Sequence, residues 1–224
     1  VAQTTDEQFS QLAGRIKGKG ADVSGDLVVT SLLALSNRLV PLLAEFQAMH
    51  KDLRVLFVTG DRLFRLEYGE AHVAIRAGSA PDQPDNVVQK FMDTRMGLYA
   101  SPDYVARHGL PDGPAAFADH RFIGPDNPES RAPHYAWLKE NVPASAVTFR
   151  CSDSHAALMA LEAGAGIGFL PEEEAKKRPD LVMVEAPRAE WSAPLWLVTH
   201  VDLHRTTKVQ ALLRFLKDRV KAGG

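Results

Sequence analysis

The sequence predicts an α/β protein made of two Rossmann-like lobes, and two observations carry this prediction. Short apolar segments of strand length alternate with amphipathic segments of helical length along most of the chain. The alternation runs through two coarse units, at roughly residues 25–77 and 99–184. Alternating strands and helices favour parallel sheets with right-handed crossovers, and a cleft between two such lobes is a favoured place for a small ligand.

The first unit opens with a buried strand and a long helix. The strand is DLVVT, and Thr30 or Ser31 at its end can cap the helix. Pro41 lies inside the helical segment, so we expect either a kink or a late helix start. The apolar face of this helix consists of Leu32, Leu35, Leu39, Leu42, Leu43 and Phe46.

The remaining elements follow in chain order. The strand segments are DLRVLFVTG, HVAIRAG, VVQKFM, TRMGLYAS, RFIG, VTFRC, IGFL, LVMVE and APLWLVTH. The helical segments are RLFRLEYGE after a cap at Asp61, DYVARHG after Pro102, PAAFADH, DSHAALMALEAG, PEEEAKK and TTKVQALLRFLKDRV. PDNPESRAPH is rich in turn-forming residues and is predicted to be a loop. The strand APLWLVTH and the last helix could return to either lobe.

The glycine-rich stretch EAGAGIGFLPEEE, from Glu162 to Glu174, raises the question of a nucleotide site. A dinucleotide fingerprint needs a strand before the glycines, whereas here a helix comes first. Gly164 and Gly166 stand where that helix stops, as left-handed caps, and a short strand follows. The stretch therefore favours a tight turn and close backbone approach over a phosphate cradle.

Composition and charge argue against several classes of protein. The chain has 224 residues and a formal net charge of −2, which disfavours a broad basic surface for nucleic acid on this chain. Cys151 is the single cysteine, so no intramolecular disulfide is expected. No apolar run reaches the roughly 18 to 20 residues of a membrane span. We expect a cytoplasmic protein with no cofactor, and Val1 at the start suggests a fragment of a longer chain.

Two arrangements of histidine and cysteine could carry chemistry. His200 and His204 have the i, i+4 spacing of metal ligands, but THVDLHRTT is typical of a strand end and loop, so solvated histidines are favoured. Cys151 and His155 bracket SDS, and a thiolate beside an imidazole can act as a nucleophile. Because Cys151 ends a buried strand and His155 begins a helix, a structural role is favoured. The sequence thus predicts no catalytic residue, no metal site and no enzyme.

Polar helix starts at strand ends are the most informative feature. TSLLALS, TGDRL, SDSHAAL and LPEEE each follow a strand, and in parallel sheets those ends gather at one edge. Free backbone N–H groups and the helix dipole attract an anion there. Thr30, Ser31 and Ser154 add hydroxyl groups, and Arg76 could pair with a carboxylate. Ordinary helix caps are the alternative, and the acidic residues Asp61 and Glu172 to Glu174 count against an anion.

Two segments together resemble the effector-binding domain of LysR-type transcriptional regulators. The first, GDLVVTSLLALSNRLVPLLAEFQAMHKDLRVLFVTGDRLFRLEYGEAHVAIRAG, is similar to the family's opening strand, its LLPLLAEF-like helix and its DLAIR-x-G strand. The second, SDSHAALMALEAGAGIGFLPEEEA, is similar to the family's A-x-x-G-x-G-I-x-x-LP segment. HKDL at residues 50–53 departs from the family's proline turn, and His72 replaces an Asp. The resemblance covers nearly all of residues 25–220.

The resemblance implies the fold of type 2 periplasmic binding proteins, with two crossover strands. Residues 25–98 with 195–224 would form subdomain I, residues 99–194 subdomain II, and residues 1–24 the tail of a linker helix with its hinge. It implies a small-molecule effector, and the polar residues at the strand ends favour a carboxylate or other anion. It also implies a homodimer or homotetramer. DNA binding would belong to a winged helix-turn-helix that is absent from this sequence.

Carried over position by position, the resemblance implies an effector site at the strand ends of both lobes. In the first lobe the positions are Thr30, Ser31, Leu32, Thr59, Gly60, Ile75 and Arg76. In the second lobe they are Tyr99, Ala100, Ser101, Phe122, Ile123, Ser154, His155, Phe169 and Leu170. The glycines before Phe169 are expected to turn the chain so that this side chain reaches the cleft.

The resemblance also implies side-by-side pairing of the domains. The expected surface comprises Leu39, Leu43, Phe46, Met49 and the strand Arg54–Val58, although some of these leucines should be core. A solute-binding protein of a transporter is the main alternative function because it would share the fold. Such a protein does not need the amphipathic start with Phe9, Leu12 and Ile16.

Overall fold

A computed structural model describes residues 23–60 and 64–222 of the chain. The strands are β1 (Gly25–Ser31), β2 (Leu53–Thr59), β3 (Val73–Ala77), β4 (Asn86–Thr94), β5 (Met96–Ala100), β6 (Phe122–Pro125), β7 (Val147–Cys151), β8 (Gly168–Pro171), β9 (Val182–Glu185) and β10 (Ala193–His200). The helices are α1 (Ser36–Ala48), α2 (Pro102–His108), α3 (Pro133–Asn141), α4 (Ser154–Glu162), α5 (Glu172–Lys176), α6 (Val201–His204) and α7 (Thr207–Ala222). Short 3₁₀ turns lie at Leu33–Leu35, Leu66–Tyr68, Pro114–Asp119, Ala144–Ala146 and Ala189–Trp191. The predicted linker helix before residue 19 and the predicted cap Asp61 lie outside the described residues.

The described strands build the predicted two-lobe α/β fold. In the first lobe β1 pairs in parallel with both β2 and β3, which confirms the expected parallel arrangement. β10 pairs antiparallel with β3 and β4, so the sheet has the order β2-β1-β3-β10-β4. The sequence did not decide to which lobe the strand APLWLVTH belongs. As β10 it belongs to the first lobe. In the second lobe β5 lies between antiparallel β8 and β9, and β6 pairs in parallel with β7.

Helices α1 and α7 cover one face of the first sheet. α1 contributes Leu39, Leu43 and Phe46 to this core, and α7 contributes Val209, Leu212, Leu213 and Leu216. The spacing of three and four residues puts each set on a single stripe of its helix. Along β1, Leu27 and Val29 enter the same core. Because strand side chains alternate, Thr30 points to the opposite face of the sheet.

Helix α1 begins later than the predicted cap. β1 runs to Ser31 and Leu32 is still extended, so the hydroxyls of Thr30 and Ser31 remain in the sheet and not at a helix start. The structure gives neither the 3₁₀ turn after β1 nor α1 a side-chain cap, so the prediction of a cap at Thr30 or Ser31 is wrong. α1 begins at Ser36 and has Pro41 inside it, beyond its first turn, so the proline does not set the start of the helix.

Two glycines of the EAGAGIGFLPEEE stretch have different roles. Gly164 follows α4 with φ of +73°, which is the left-handed turn that the sequence predicts. Gly166 has no such conformation, so the second predicted left-handed cap is wrong. A Cβ at Gly166 would instead approach the Arg121 carbonyl oxygen to 2.7 Å, so this glycine permits close backbone approach between neighbouring strands.

An aromatic cluster forms the core of the second lobe. The Phe169 ring lies 5.0 Å from the Trp191 ring and 6.1 Å from the Trp137 ring, edge to face in both cases. His134 packs on Phe169 at 5.2 Å, and burial lowers the pKa of its imidazole to about 4. His134 and Trp137 belong to α3, which begins inside the segment predicted as a loop. Pro133 is the first residue of this helix, where a proline is compatible with helical structure.

We expect His134→Phe to reduce the dependence of stability on pH. The imidazole titrates near pH 6.5 when exposed and near pH 4 in the fold, so between these values the unfolded chain binds more protons. The contribution of His134 to the free energy of unfolding is therefore fully present above pH 6.5 and is lost as the pH falls. From pH 7.5 to pH 5 this loss amounts to about 2 kcal/mol. Urea unfolding of both proteins at the two pH values measures the difference. An equal loss in both proteins would contradict a buried neutral imidazole.

Candidate functional site

The carboxyl ends of β1, β2 and β3 meet at one edge of the first sheet. Ser31 pairs with Thr59 across β1 and β2, and Thr30 pairs with Ala74 across β1 and β3. The Gly60 N–H donates to the Ser31 carbonyl oxygen at 3.2 Å. Since all three strands are parallel, the first-lobe positions of the predicted effector site are neighbours.

Arg76 brings a positive charge to this edge. It follows Ala74 by two residues on β3, so its side chain leaves the same face of the sheet as Thr30. The side chain is half-buried, burial lowers its pKa, and it has no hydrogen bond or ion pair with any residue in the described ranges. A desolvated guanidinium without a protein partner favours an anion. Ile75 is different, because its side chain is fully buried in the core and only its backbone reaches the edge.

Buried polar atoms without a partner cluster in the chain that leaves β1. Among the described residues five buried side-chain polar atoms form no hydrogen bond, and four of them belong to Thr30, Ser31, Ser36 and Arg38. Thr30 and Ser31 are 0% exposed. Leaving a buried hydroxyl without a partner costs about 1–3 kcal/mol. Such a concentration of unsatisfied groups marks a place where the polar atoms of a ligand would complete the hydrogen bonds.

Helix α4 of the second lobe faces this region. The 3₁₀ turn Leu33–Leu35 lies against α4. Asp153 caps α4, because its carboxylate accepts hydrogen bonds from the backbone N–H groups of His155 and Ala156, each at 2.9 Å. The side chains of Ser154 and His155 therefore stay exposed at the helix start and are available to a ligand.

The other predicted second-lobe positions are mostly core. One apolar cluster includes Ala100, Phe122 and Phe169, and a second includes Tyr99, Ile123 and Leu170. Ser101 caps α2, since its hydroxyl accepts the Tyr104 N–H at 3.2 Å. These residues can offer backbone groups to a ligand. The expectation that Phe169 reaches the cleft is not met, because its ring is held in the aromatic cluster.

Sequence reasoning missed the residues that join the lobes. Arg38 on α1 forms an ion pair with Glu173 on α5, and Asn37 Nδ2 donates to Glu174 Oε2 at 3.2 Å. A cavity of about 420 Å³ opens beside this contact, lined by Asn37, Glu174, Lys177 and Arg178. Glu172–Glu174 was visible in the sequence as an acidic run. The contact of Asn37 and Arg38 with these glutamates depends on where α1 begins, and no local sequence pattern predicts it.

The cysteine and histidine pair does not form a nucleophile. Burial and the nearby carboxylates of Asp153 and Asp126 raise the pKa of the Cys151 thiol, which disfavours the thiolate. Its Sγ lies 3.8 Å from the Gly124 carbonyl oxygen. In the described structure no hydrogen bond joins Cys151 to His155.

The spaced histidines take local hydrogen bonds. His200 Nδ1 accepts the Asp202 N–H at 3.3 Å, and His204 Nδ1 lies 2.9 Å from Thr199 Oγ1. Helix α6 occupies the segment predicted as a loop, so that part of the prediction is wrong. Residues 23–60 and 64–222 contain no group of three side chains placed to hold a metal ion. Over the same ranges, no helix is both long enough and apolar enough to span a membrane.

Comparison with known proteins identifies a family. Residues 21–221 match the family model described as the LysR substrate binding domain. The chain is 28% identical over 167 residues to an HTH-type transcriptional repressor of Pseudomonas aeruginosa. This alignment covers 72% of this chain and 52% of that protein. It is 27% identical over 154 residues to the uncharacterized HTH-type transcriptional regulator YcaN of Escherichia coli, covering 69% of this chain and 51% of YcaN. The chain spans about half the length of these curated relatives.

Solved structures share the fold. The regulatory domain of CrgA from Neisseria meningitidis superposes with a TM-score of 0.74 at 23% identity, covering 88% of this chain and 98% of that domain. A second structure of CrgA from the same organism gives a TM-score of 0.76 at 20% identity, covering 98% of this chain and 75% of that chain. The expected two-lobe fold of the type 2 periplasmic-binding-protein kind is thereby confirmed.

We expect Thr30→Val to stabilise the ligand-free domain. Valine has nearly the shape of threonine and removes a buried hydroxyl without a partner, so the free energy of unfolding should rise by about 1 kcal/mol. Ser101→Ala is the matched control, because it removes a hydroxyl that does cap a helix and should lower stability by about 1 kcal/mol. Urea unfolding measures both. A loss of stability in Thr30→Val would contradict the assignment of an unsatisfied hydroxyl.

Proposed function

This chain belongs to the LysR substrate-binding domain family, and we propose that it is the ligand-sensing domain of a LysR-type transcriptional regulator. A small effector with an anionic group binds in the cleft between the lobes. Binding favours one arrangement of the lobes and thereby changes the geometry of an oligomer and the transcription it controls. The names of the curated relatives, which are transcriptional regulators, favour this function over a solute-binding protein or an enzyme.

The observation that carries the proposal is the edge at the carboxyl ends of β1, β2 and β3. Buried hydroxyls of Thr30 and Ser31 have no partner in the described structure, and the half-buried Arg76 supplies a positive charge without a counterion there. A carboxylate accepts hydrogen bonds from a hydroxyl group and from a guanidinium, so it would pair with Thr30 and Arg76, whose side chains leave the same face of the sheet. Helix α4, whose first two residues are Ser154 and His155, contacts the 3₁₀ turn after β1 from the second lobe.

The two lobes give the proposal its mechanism. In this proposal residues 25–98 with 195–224 form one subdomain and residues 99–194 the other, so that β5, which begins at Met96, and β10, which begins at Ala193, lie near the passages between them. An effector that contacts both lobes can shift their arrangement only by its difference in affinity for the two arrangements.

Oligomer formation is a further part of the proposal. β2 is an edge strand of the five-stranded sheet, and an open edge is a natural pairing surface. Leu56 on β2 is 56% exposed, and Val40 on α1 and Met49 directly after it are 48% and 59% exposed. Leu39, Leu43 and Phe46 of the expected surface lie in the core, so the proposed surface consists of the exposed side chains instead. DNA contact belongs, in this proposal, to a winged helix-turn-helix outside these residues.

Native mass spectrometry of the purified domain, followed by the same measurement after denaturation, tests the proposal. We expect a dimer or tetramer that releases a small anion, whose mass identifies the effector. A monomer that carries nothing and binds none of a panel of small carboxylates would contradict it.

Arg76→Met tests the anion directly. Loss of a charge-assisted hydrogen bond of about 1.5–3 kcal/mol should weaken binding of the anion found by mass spectrometry roughly 10- to 150-fold. Arg214→Met on the exposed side of α7 is the control and should leave the dissociation constant unchanged. Isothermal titration calorimetry measures both, and unchanged affinity in Arg76→Met would remove this residue from the site.

A further inference from the structure

The contact between α1 and α5 is the most distinctive polar feature between the lobes. Arg38 and Glu173 form an ion pair, and Asn37 donates to Glu174 at 3.2 Å. α1 packs in the core of the first lobe, whereas α5 directly follows β8 of the second. The contact therefore joins the two bodies whose relative arrangement the proposed function depends on.

The acidic side of this contact is held in place by its own lobe. Glu174 is also bonded to Lys177 Nζ at 2.8 Å and to Arg178 Nη1 at 3.0 Å, and Arg178 Nε bonds to Glu162 on α4 at 2.7 Å. Such a network fixes α5 against α4, and so fixes the backbone from which the 50% exposed Glu173 side chain extends.

The basic side is favourable for a carboxylate. Arg38 and Asn37 lie in the first turn of α1, where backbone N–H groups and the helix dipole attract negative charge. The Arg38 side chain is only 27% exposed, burial lowers its pKa, and its Nε lacks a partner in the described structure. Arg38 therefore has its Nη1 paired with Glu173, while its Nε is buried without a partner in the described structure.

We propose that Arg38 and Glu173 form a latch that holds the lobes of the ligand-free domain together, and that an anion entering the cleft must displace Glu173 from Arg38. The carboxylate of Glu173 then stands in for the effector's anionic group. A cleft with this latch rejects neutral ligands, because they cannot replace the lost ion pair. The displacement step rests on the proposed function, whereas the latch itself does not.

Distances between the lobes in the ligand-free domain test the latch. Spin labels at Glu140→Cys on α3 and Asp218→Cys on α7, with Cys151→Ser, report the separation by pulsed electron paramagnetic resonance. Both labelling sites are exposed and lie in different lobes. Spin-diluted samples, in which labelled chains are mixed with an excess of unlabelled chains, exclude distances between copies.

We expect Arg38→Met and Glu173→Gln each to shift the distances to longer values and broaden their distribution. The double variant should add nothing beyond the larger single effect, since both changes break one interaction. Lys90→Met is the matched control, because it breaks the ion pair of Lys90 with Asp93 at 2.9 Å inside the first lobe and should leave the distances unchanged. Distances equal to wild type in both single variants, or additive effects in the double variant, would overturn the latch.

Inorganic sulfate tests the displacement, with ionic strength held constant by sodium chloride. Sulfate offers two oxygens to a guanidinium and should move the wild-type distances towards those of Glu173→Gln. It should have no effect in Arg38→Met. If sulfate leaves the wild-type distances unchanged, the displacement step is wrong. Because the mutational series needs no effector, a failed latch leaves the sensor function standing, and a failed search for an effector leaves the latch measurable.

Discussion

The parallel pairing of β1 with β2 on one side and β3 on the other is the constraint on which the rest of the structure depends. It brings three strand ends to one edge, so that residues far apart in the chain, such as Ser31, Thr59 and Arg76, share a small region. The same pairing makes β2 the edge strand and leaves β3 open to β10. Core, candidate ligand site and candidate pairing surface of the first lobe therefore follow from one arrangement of strands.

This arrangement separates stability from binding within single strands. Leu27 and Val29 of β1 are buried in the core, and the same strand ends in two buried hydroxyls without a partner. The apolar residues compensate locally for polar groups that destabilise the ligand-free domain. Groups that lower stability and remain unsatisfied are more simply explained by binding than by folding.

The sequence was sufficient for elements whose signals are local. Alternating apolar segments predicted the strands and the two-lobe organisation. Local signals gave the wrong prediction where one residue type is common in two kinds of local structure. Pro133 suggested a loop but begins α3. Thr30 and Ser31 are residue types that often cap helices, but here they remain in the sheet. A match to a family position does not fix the direction in which a side chain points. Phe169 and Ile75 match positions of the expected effector site, but their side chains lie in the core.

Contacts between lobes could not be predicted because they depend on how finished units pack. Arg38 and Glu173 are 135 residues apart, and neither carries a local signal for the other.

The acidic residues of α5 counted against an anion site when they were considered only as nearby negative charge. Their position gives them a different meaning. Burial would raise the pKa of Glu174, but hydrogen bonds from Lys177 and Arg178 outweigh that effect and lower it, so the carboxylate stays ionised at the contact. A region that already accepts the protein's own carboxylates, one of them on Arg38 at the start of α1, has the electrostatic character that an anionic ligand requires. The acidic run is thus compatible with an anion site, provided that the ligand replaces these carboxylates.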